Sequence, residues 1–480
     1  MISLRLSEIA AITGGEVFDA VNSQGTGAHG EETDPVVDGP VVTDSREAAK
    51  GSLYIARIGE DLDGHQFAGA ARAQGAVAAI TTRPVAELPS VVVQDVQAAF
   101  VALAHALARR NPSAVVIGIT GSSGKTGTKD LLLSVLSRHG ETVANVGSLN
   151  SEVGVPLTVC RITATTAYLV LEMGARGAGH IDYLTRIARP QIGVVLNVGT
   201  AHVGEFGSRE AIGRAKSELV QALPATGFAV LNADDPIVWA MASQTSAHVV
   251  GVGQSGQATV RAQDVYLDQQ GRASFTLVTE QGSAPVVLGF HGEHYVGNAL
   301  AVAAVALAVG MPLGEVATAL GEARPLSRWR MEVHERADGV TIVNDAYNAN
   351  PDSMCAALKA LAAMGRGRRT WAVLGEMLEL GSQSFTEHED VGRLAMRLGL
   401  SRVVAVGAGA RPIEGGARDE GASGSNGGQT TWVTDADAAY ELLGQQLAPG
   451  DVVLVKSSRD AGLRWLGDRL LQDTESEVPS

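Results

Sequence analysis

Cysteine is nearly absent from this 480-residue chain, which has only Cys160 and Cys355. Two thiols cannot make a disulfide scaffold or a four-cysteine zinc site, and so sparse a use fits a reducing compartment. Positive charge is also short. Lys and Arg number 37 against 52 Asp and Glu, a formal net charge of −15, so the molecule as a whole repels phosphate backbones and anionic membranes. Nucleic acid and membrane are therefore poor partners, although backbone dipoles with one or two cations still suffice to bind an anion locally. The longest apolar run, Ala299 to Val309, falls far short of the roughly 20 residues a bilayer span needs. It predicts a buried Ala-rich helix instead. The opening residues, MISLRLSEIAAITGGE, lack the basic-then-apolar layout of a secretion signal, so a cytoplasmic location is expected. Aromatic residues are only 4% while glycine numbers 57, which suggests tight turns and close packing of α/β type.

What is present is ordinary for a folded protein: 45% apolar and 19% charged residues exclude wholesale disorder. At roughly 150 residues per domain the length predicts about three domains. Residues 1–110 read as a small α/β unit, with a Gly-rich acidic loop over 22–35. Asn111-Pro112 breaks the chain, and AVVIGIT (114–120) then has the continuous β-branched character of a strand buried on both faces. Apolar strands at 142–146, 167–173, 191–198 and 228–233 alternate with helical stretches, which predicts a parallel sheet of βαβ units. Shorter alternating strands over 254–290 predict an antiparallel extension, and a helix over 297–309 closes this central domain, 111–313. A third unit, 314–480, carries strands at 340–346, 369–376, 401–407 and 451–457. Its Gly-rich stretch 414–429 reads as a flexible surface loop. The fold class is thus α/β in three domains: a central P-loop parallel-sheet ATPase domain between a small N-terminal α/β domain and a C-terminal Rossmann-like one.

The strongest chemical signal is VVIGITGSSGKTGTKDLLLSVL (115–136). A buried strand runs into Gly121-Ser122-Ser123-Gly124-Lys125-Thr126, and an amphipathic helix follows at once. The glycines let backbone amides curl around phosphate oxygens, the helix N-terminus adds a favourable dipole, Lys125 neutralises the β/γ-phosphates and the Thr126 hydroxyl ligates Mg²⁺. Ile119 stands where the full eight-residue pattern has its first glycine, so this is a shortened form. It predicts a nucleoside triphosphate site.

Other strand ends carry polar groups at the edge where an open parallel sheet places its ligands. Glu172 is the best candidate to hold a hard cation on triphosphate oxygens, against the bland reading of a solvated cap. Asn197 leads to His202, which is either a metal ligand or a turn residue. Asn232, Asp234 and Asp235 end the next strand. Lys216 lies on a helix with a Ser cap, in a chain with only six lysines, and by composition alone it is a solvated helical lysine.

Taken together, TGSSGKTGTKD, LNSEVGVPLT (149–158), LEMGA (171–175), NVGTAHVGEFGS (197–208), AKSE (215–218), LNADD (231–235), NDAYNANPDSM (344–354), LGEMLELG (374–381) and KSSR (456–459) fall in the order found in the Mur ligase family, which the chain resembles over nearly its whole length. TDSREAAKGSLYIARIGEDLDGH (43–65) resembles the nucleotide-sugar domain of that family. The resemblance implies ATP as cosubstrate and an activity that joins D-alanyl-D-alanine to UDP-N-acetylmuramoyl-tripeptide through an acyl phosphate, in a cytoplasmic monomer. It implies Mg²⁺ held by Thr126 and Glu172, and a second ion near His202 oriented by a carbamylated Lys216. Asn298 matches the family's helix Asn near the adenine. Arg330 and Asp345 match the Arg and Asp that the C-terminal domain brings to the nucleotide, with Tyr347, Asn348 and Asn350 in the same loop. Ser45, Arg46, Gly64 and His65 match positions bordering the uridine diphosphate, and Asn150 and Ser151 match the loop that approaches the peptide. Arg46 reads equally well as a surface salt-bridge partner. SRWRMEV (327–333) departs from the family's usual Gly-Arg by placing Trp329 before Arg330, and KSSR departs from Lys-Gly-Ser-Arg. The rival readings are a related ligase for another amino acid, a P-loop kinase or switch, and a nucleotide-sugar-binding regulator.

Overall fold

The computed structural model describes residues 1–19, 34–200, 203–423 and 428–472, so most of the acidic loop expected at 22–35, and His202, lie outside the described residues. The chain forms two compact units. The first comprises Met1–Gly118, His139–Gly174 and Ile181–Ile192, and the second comprises Ile119–Arg138, Ala175–His180 and Gly193–Ser480.

In the first unit a five-stranded sheet has the order Glu16–Phe18, Ser90–Val92, Ala76–Thr81, Ser52–Ile55, Val41–Val42. All its pairs are parallel except the edge pair of Glu16–Phe18 with Ser90–Val92. The helix Val96–Arg110 starts at Asp95, whose carboxylate accepts the amides of Gln97 and Ala98. Its buried residues Val96, Phe100, Leu103, Ala104 and Leu107 recur every three or four positions, the spacing that puts one apolar stripe against a core. Further along, Tyr168–Glu172 is buried along its whole length and pairs in parallel with Thr142–Ala144.

The second unit contains the phosphate-loop helix Lys125–Leu136 and the parallel pair Phe228–Asn232 with His248–Gly253. The expected antiparallel extension follows as Val260–Leu267, Arg272–Thr279 and Gly282–His291. The apolar run at 299–309 falls in the helix His294–Ala308, which is almost entirely buried.

A six-stranded sheet in the same unit has the order Glu332–Glu335, Thr341–Asn344, Val452–Lys456, Thr370–Leu374, Arg402–Val406, Gln429–Val433. Only the first pair is antiparallel. Four of these strands sit where the apolar runs predicted them, and the two edge strands were not anticipated. Asp345 and Lys456 emerge side by side at the carboxyl ends of two neighbouring strands.

The stretch 414–429 corrects the sequence reading. It is not a surface loop along its length, because Arg411–Ser423 is helix and Gln429–Val433 is strand. Gly416 serves close packing, since a Cβ there would collide with the backbone of Glu389, and so does Gly392 on the facing helix Ser384–Arg397, whose Cβ would collide with the Ile413 carbonyl. Two helices approach so closely there that only glycine fits, which composition alone mistakes for flexibility.

Candidate functional site

The strand Val115–Thr120 ends in the loop 121–124, and Gly124 enters the helix at φ 81°. Glycine adopts that left-handed backbone freely, and a Cβ there would come within 2.8 Å of Asn298 Oδ1. The loop is braced by its neighbour at residue 197. Asn197 Oδ1 accepts the amides of Ser122 and Ser123, each at 2.9 Å, and the Ser122 hydroxyl accepts the Gly199 amide at 2.9 Å. Lys125 Nζ donates to the Gly121 carbonyl at 2.7 Å, and Thr126 is buried in the first helical turn, where backbone amides have no intrahelical acceptor.

Segments distant in sequence converge on this loop. Arg330 Nη2 donates to Thr126 Oγ1 at 3.3 Å. Asn350 Nδ2 donates to the Ser122 carbonyl at 3.4 Å, while its Oδ1 caps the helix Pro351–Met364 through the Ser353 amide. Asp352 Oδ2 accepts the Thr200 amide at 3.0 Å and lies so close to Gly199 that any Cβ there would collide with it. Asn-Pro at 350–351 is thus a helix start that carries the loop's polar contacts.

Lys216, on the helix Arg209–Gln221, is buried rather than solvated. Burial first, and the charge of Lys125 second, push its pKa down to about 7, so a large share of the amine is neutral near pH 7 and able to act as a nucleophile. The polar residues at the neighbouring strand ends brace loops. Asp235 Oδ2 accepts the Val198 amide, Asp234 accepts those of Gln254 and Ser255, and Asn232 donates to the Leu196 carbonyl. Asn232 and Asp234, with Asn197, Asn298 and His294, line a cavity next to the phosphate loop. His294 is kept neutral, its pKa pushed down to about 4 chiefly by burial.

Asp345 does not point at an open site. Its Oδ1 accepts the Met331 amide at 3.0 Å and its Oδ2 accepts Lys456 Nζ at 2.6 Å, a pair with side chains only 11% and 2% exposed. Lys456 also donates to the Asn348 carbonyl at 3.1 Å. The ammonium therefore ties the loop of Tyr347 and Asn348 to Asp345, whose carboxylate also takes the amide of Met331 next to Arg330, a role the sequence left open. Lys129 and Asp130 form a second buried pair at 2.5 Å, and Asp130 Oδ2 accepts the Ser327 amide at 3.0 Å. Two left-handed residues, Trp329 (φ 59°) and Met331 (φ 50°), flank Arg330. Such a backbone costs a side-chain-bearing residue roughly 1–2 kcal/mol, and strain of this kind gathers at functional sites.

The first unit holds the remaining candidates. Glu172 is buried at its strand end. Its amide donates to Asn145 Oδ1 at 2.6 Å and its Oε1 accepts Asn150 Nδ2 at 2.7 Å, so the carboxylate is oriented, unlike a solvated cap. Ser151 is exposed beside it. Ser45 is buried in a short turn of helix, while Arg46 extends into solvent and pairs with Asp44 at 2.6 Å. His65 is buried with both ring nitrogens engaged: Nε2 accepts the Thr82 amide at 2.9 Å, and Nδ1 therefore carries the proton donated to Asp63 at 2.6 Å. Gly64 accepts the buried Tyr54 hydroxyl at 2.8 Å. His65 and Gly64 shape this loop from within.

Comparison with known proteins places this geometry in context. Residues 40–114 match the Mur ligase family catalytic domain, residues 119–306 the Mur ligase middle domain and residues 329–459 the Mur ligase glutamate ligase domain. A UDP-N-acetylmuramoyl-tripeptide–D-alanyl-D-alanine ligase from Mycobacterium tuberculosis is 48% identical, over 98% of each chain. Among solved structures, a MurF from Acinetobacter baumannii superposes with TM-score 0.84 at 33% identity, covering 98% of this chain and 99% of that one. A MurF ligase from Thermotoga maritima in complex with ADP gives TM-score 0.78 at 28% identity, covering 92% of this chain and 98% of its own.

Proposed function

The chain belongs to the Mur ligase family and has its three-domain fold, and from that premise we infer how its residues carry out the ligase reaction. The protein joins D-alanyl-D-alanine to UDP-N-acetylmuramoyl-tripeptide at the expense of ATP, in the synthesis of the peptidoglycan precursor. The observation that carries the mechanistic reading is the reach of Arg330 to Thr126, which brings a second segment of cationic and amide groups onto the phosphate loop.

A carboxylate is a poor acyl donor because its leaving group would be oxide. Transfer of the γ-phosphoryl group to the tripeptide carboxylate gives an acyl phosphate and ADP. The dipeptide amine then attacks the acyl carbon, and the tetrahedral intermediate collapses to the amide with loss of phosphate and a proton. Phosphoryl transfer asks the protein mainly for positioning and charge neutralisation. Lys125 and Arg330 supply positive charge to the triphosphate, the first-turn amides supply donors, and Asn298 borders the base. Asn197 and Asp352 hold the 197–200 loop beside it.

Taken singly, the residues the family resemblance assigns to magnesium have the chemistry a hard cation takes: Thr126 has a hydroxyl, Glu172 a carboxylate oriented by Asn150, and Lys216 a buried, partly neutral amine that we propose carbon dioxide converts to a carbamate, a carboxylate on a long stem. When bound, the two ions expected neutralise the developing charge on the β/γ-phosphate oxygens. His202 is proposed for the second ion on the family resemblance. Ser45, Arg46, Gly64 and His65 are proposed to border or shape the uridine-diphosphate site, and Asn150 and Ser151 the peptide site. The domain limits 1–110, 111–313 and 314–480, a cytoplasmic location and a monomeric state belong to the same proposal. No described helix is long and apolar enough to cross a membrane.

The test is phosphate release by the purified protein with ATP, Mg²⁺ and UDP-N-acetylmuramoyl-tripeptide, with and without D-alanyl-D-alanine. Dipeptide-dependent release coupled to a pentapeptide product in the mass spectrum is expected. Release that ignores the dipeptide and yields no amide overturns the reading.

A further inference from the structure

We infer that Trp329 is a positioning residue that holds Arg330 on the phosphate loop by way of Tyr347. The inference rests on the ligase reading above. A glycine would adopt φ 59° freely, yet this chain places its bulkiest residue type there. The backbone is held at both ends. Its amide donates to Glu332 Oε2 at 2.9 Å and its carbonyl accepts the Tyr347 amide at 3.2 Å. The indole is held as well. Nε1 donates to the Asp468 carboxylate at 3.0 and 3.1 Å, Trp465 meets the ring edge-on at 5.3 Å, and the guanidinium groups of Arg328 and Arg464 lie over it at 4.7 and 5.4 Å.

The indole so fixed stacks on Tyr347, with ring centroids 6.5 Å apart and planes at 25°. Tyr347 in turn carries the Arg330 guanidinium at 4.3 Å from its ring centre. Arg330 Nε is buried and has no hydrogen-bond partner among the described residues, so no described acceptor at Nε steers the guanidinium. The aromatic face sets its direction, and the free fork reaches Thr126. Asp468, Trp329, Tyr347, Arg330 and Thr126 thus form one line of contact, in which a strained backbone is tolerated because the ring it presents aligns a phosphate-facing cation.

The test compares Trp329→Gly, which relieves the backbone and removes the ring, with Trp329→Phe, which keeps a ring and loses the bond to Asp468. Affinity for a non-hydrolysable ATP analogue is measured by calorimetry, together with KM for each substrate and the melting temperature. Loss of the ring is expected to weaken the analogue about tenfold and to leave KM for the dipeptide within about twofold, while the Phe variant stays within about threefold. In a Tyr347→Ala background, Trp329→Gly is expected to add nothing. Wild-type affinity in Trp329→Gly, an equal loss for the dipeptide, or effects that multiply with Tyr347→Ala each overturn the inference. Trp329→Leu repeats the test with cover but no stacking ring if the Gly variant does not fold. Should the wild type show no dipeptide-dependent ADP formation, the ligase reading falls, and the analogue titration still decides the role of Trp329.

Discussion

Replacing Lys456 by Met removes an ammonium from a site where almost no water reaches it. The wild-type Nζ lies 2.6 Å from Asp345 Oδ2 and also donates to the Asn348 carbonyl. Burial lowers the lysine pKa, and the Asp345 charge works against that shift. The methionine fills the volume but leaves the Asp345 carboxylate with only the Met331 amide as a described donor. Breaking a buried ion pair from one side costs about 3–5 kcal/mol, whereas removing both charges together is often nearly neutral. Lys456→Met should therefore lose about 3–5 kcal/mol in urea unfolding, and Lys456→Met with Asp345→Asn should recover most of it. Hydrogen exchange over Val452–Lys456 and Thr341–Asn344, the neighbouring parallel strands, would localise the loss. A single variant within about 1 kcal/mol of wild type, or a double variant no better than the single, would refute the reading that removing Lys456 leaves an uncompensated buried charge on Asp345.

Four further outcomes are expected. Lys125→Ala should abolish ADP formation while circular dichroism and melting temperature stay near wild type, because its ammonium serves to neutralise the triphosphate. Lys216→Ala should lose activity and regain part of it with added short carboxylic acids, and no rescue at any acid concentration would count against a carbamate. Gly124→Ala should weaken ATP binding strongly in calorimetry, since the residue sits at φ 81° with Asn298 Oδ1 only 2.8 Å from the new methyl. The last concerns pH. His294 has its pKa lowered from 6.5 to about 4 by burial, with Asp345 opposing and Lys456 adding to the shift. The unfolded chain therefore binds the extra proton first, and stability should fall as pH drops from about 6.5 towards 4, by about 3 kcal/mol at the lower end. His294→Phe should flatten that part of the curve in melting temperatures taken from pH 7 to 4.5.

The phosphate loop and its strand and helix were legible because glycine, lysine and threonine at fixed spacing follow from the chemistry of holding phosphate. The buried strands were legible from runs such as AVVIGIT, whose β-branched residues suit a sheet covered on both faces. Lys216 shows where such reading stops. On a helical wheel it is one more polar residue, and only its burial near Lys125 gives it a pKa of about 7. The Gly-rich stretch at 414–429 fails in the opposite sense, since Gly416 marks a close helix contact that no local pattern encodes.

Local order in the chain was enough to set the buried central strands, the phosphate cradle and the family, because these depend on residues near one another along the backbone, but not the helix Arg411–Ser423 or the edge strands of the six-stranded sheet. Which charges are buried, which amides are capped and which cation reaches Thr126 depended on segments some 200 residues apart meeting in space, as Arg330 and Thr126 do. Burial and partnership are properties of the packed molecule, and they set the ionisation of Lys216, the pairing of Lys456 with Asp345 and the strained setting of Trp329.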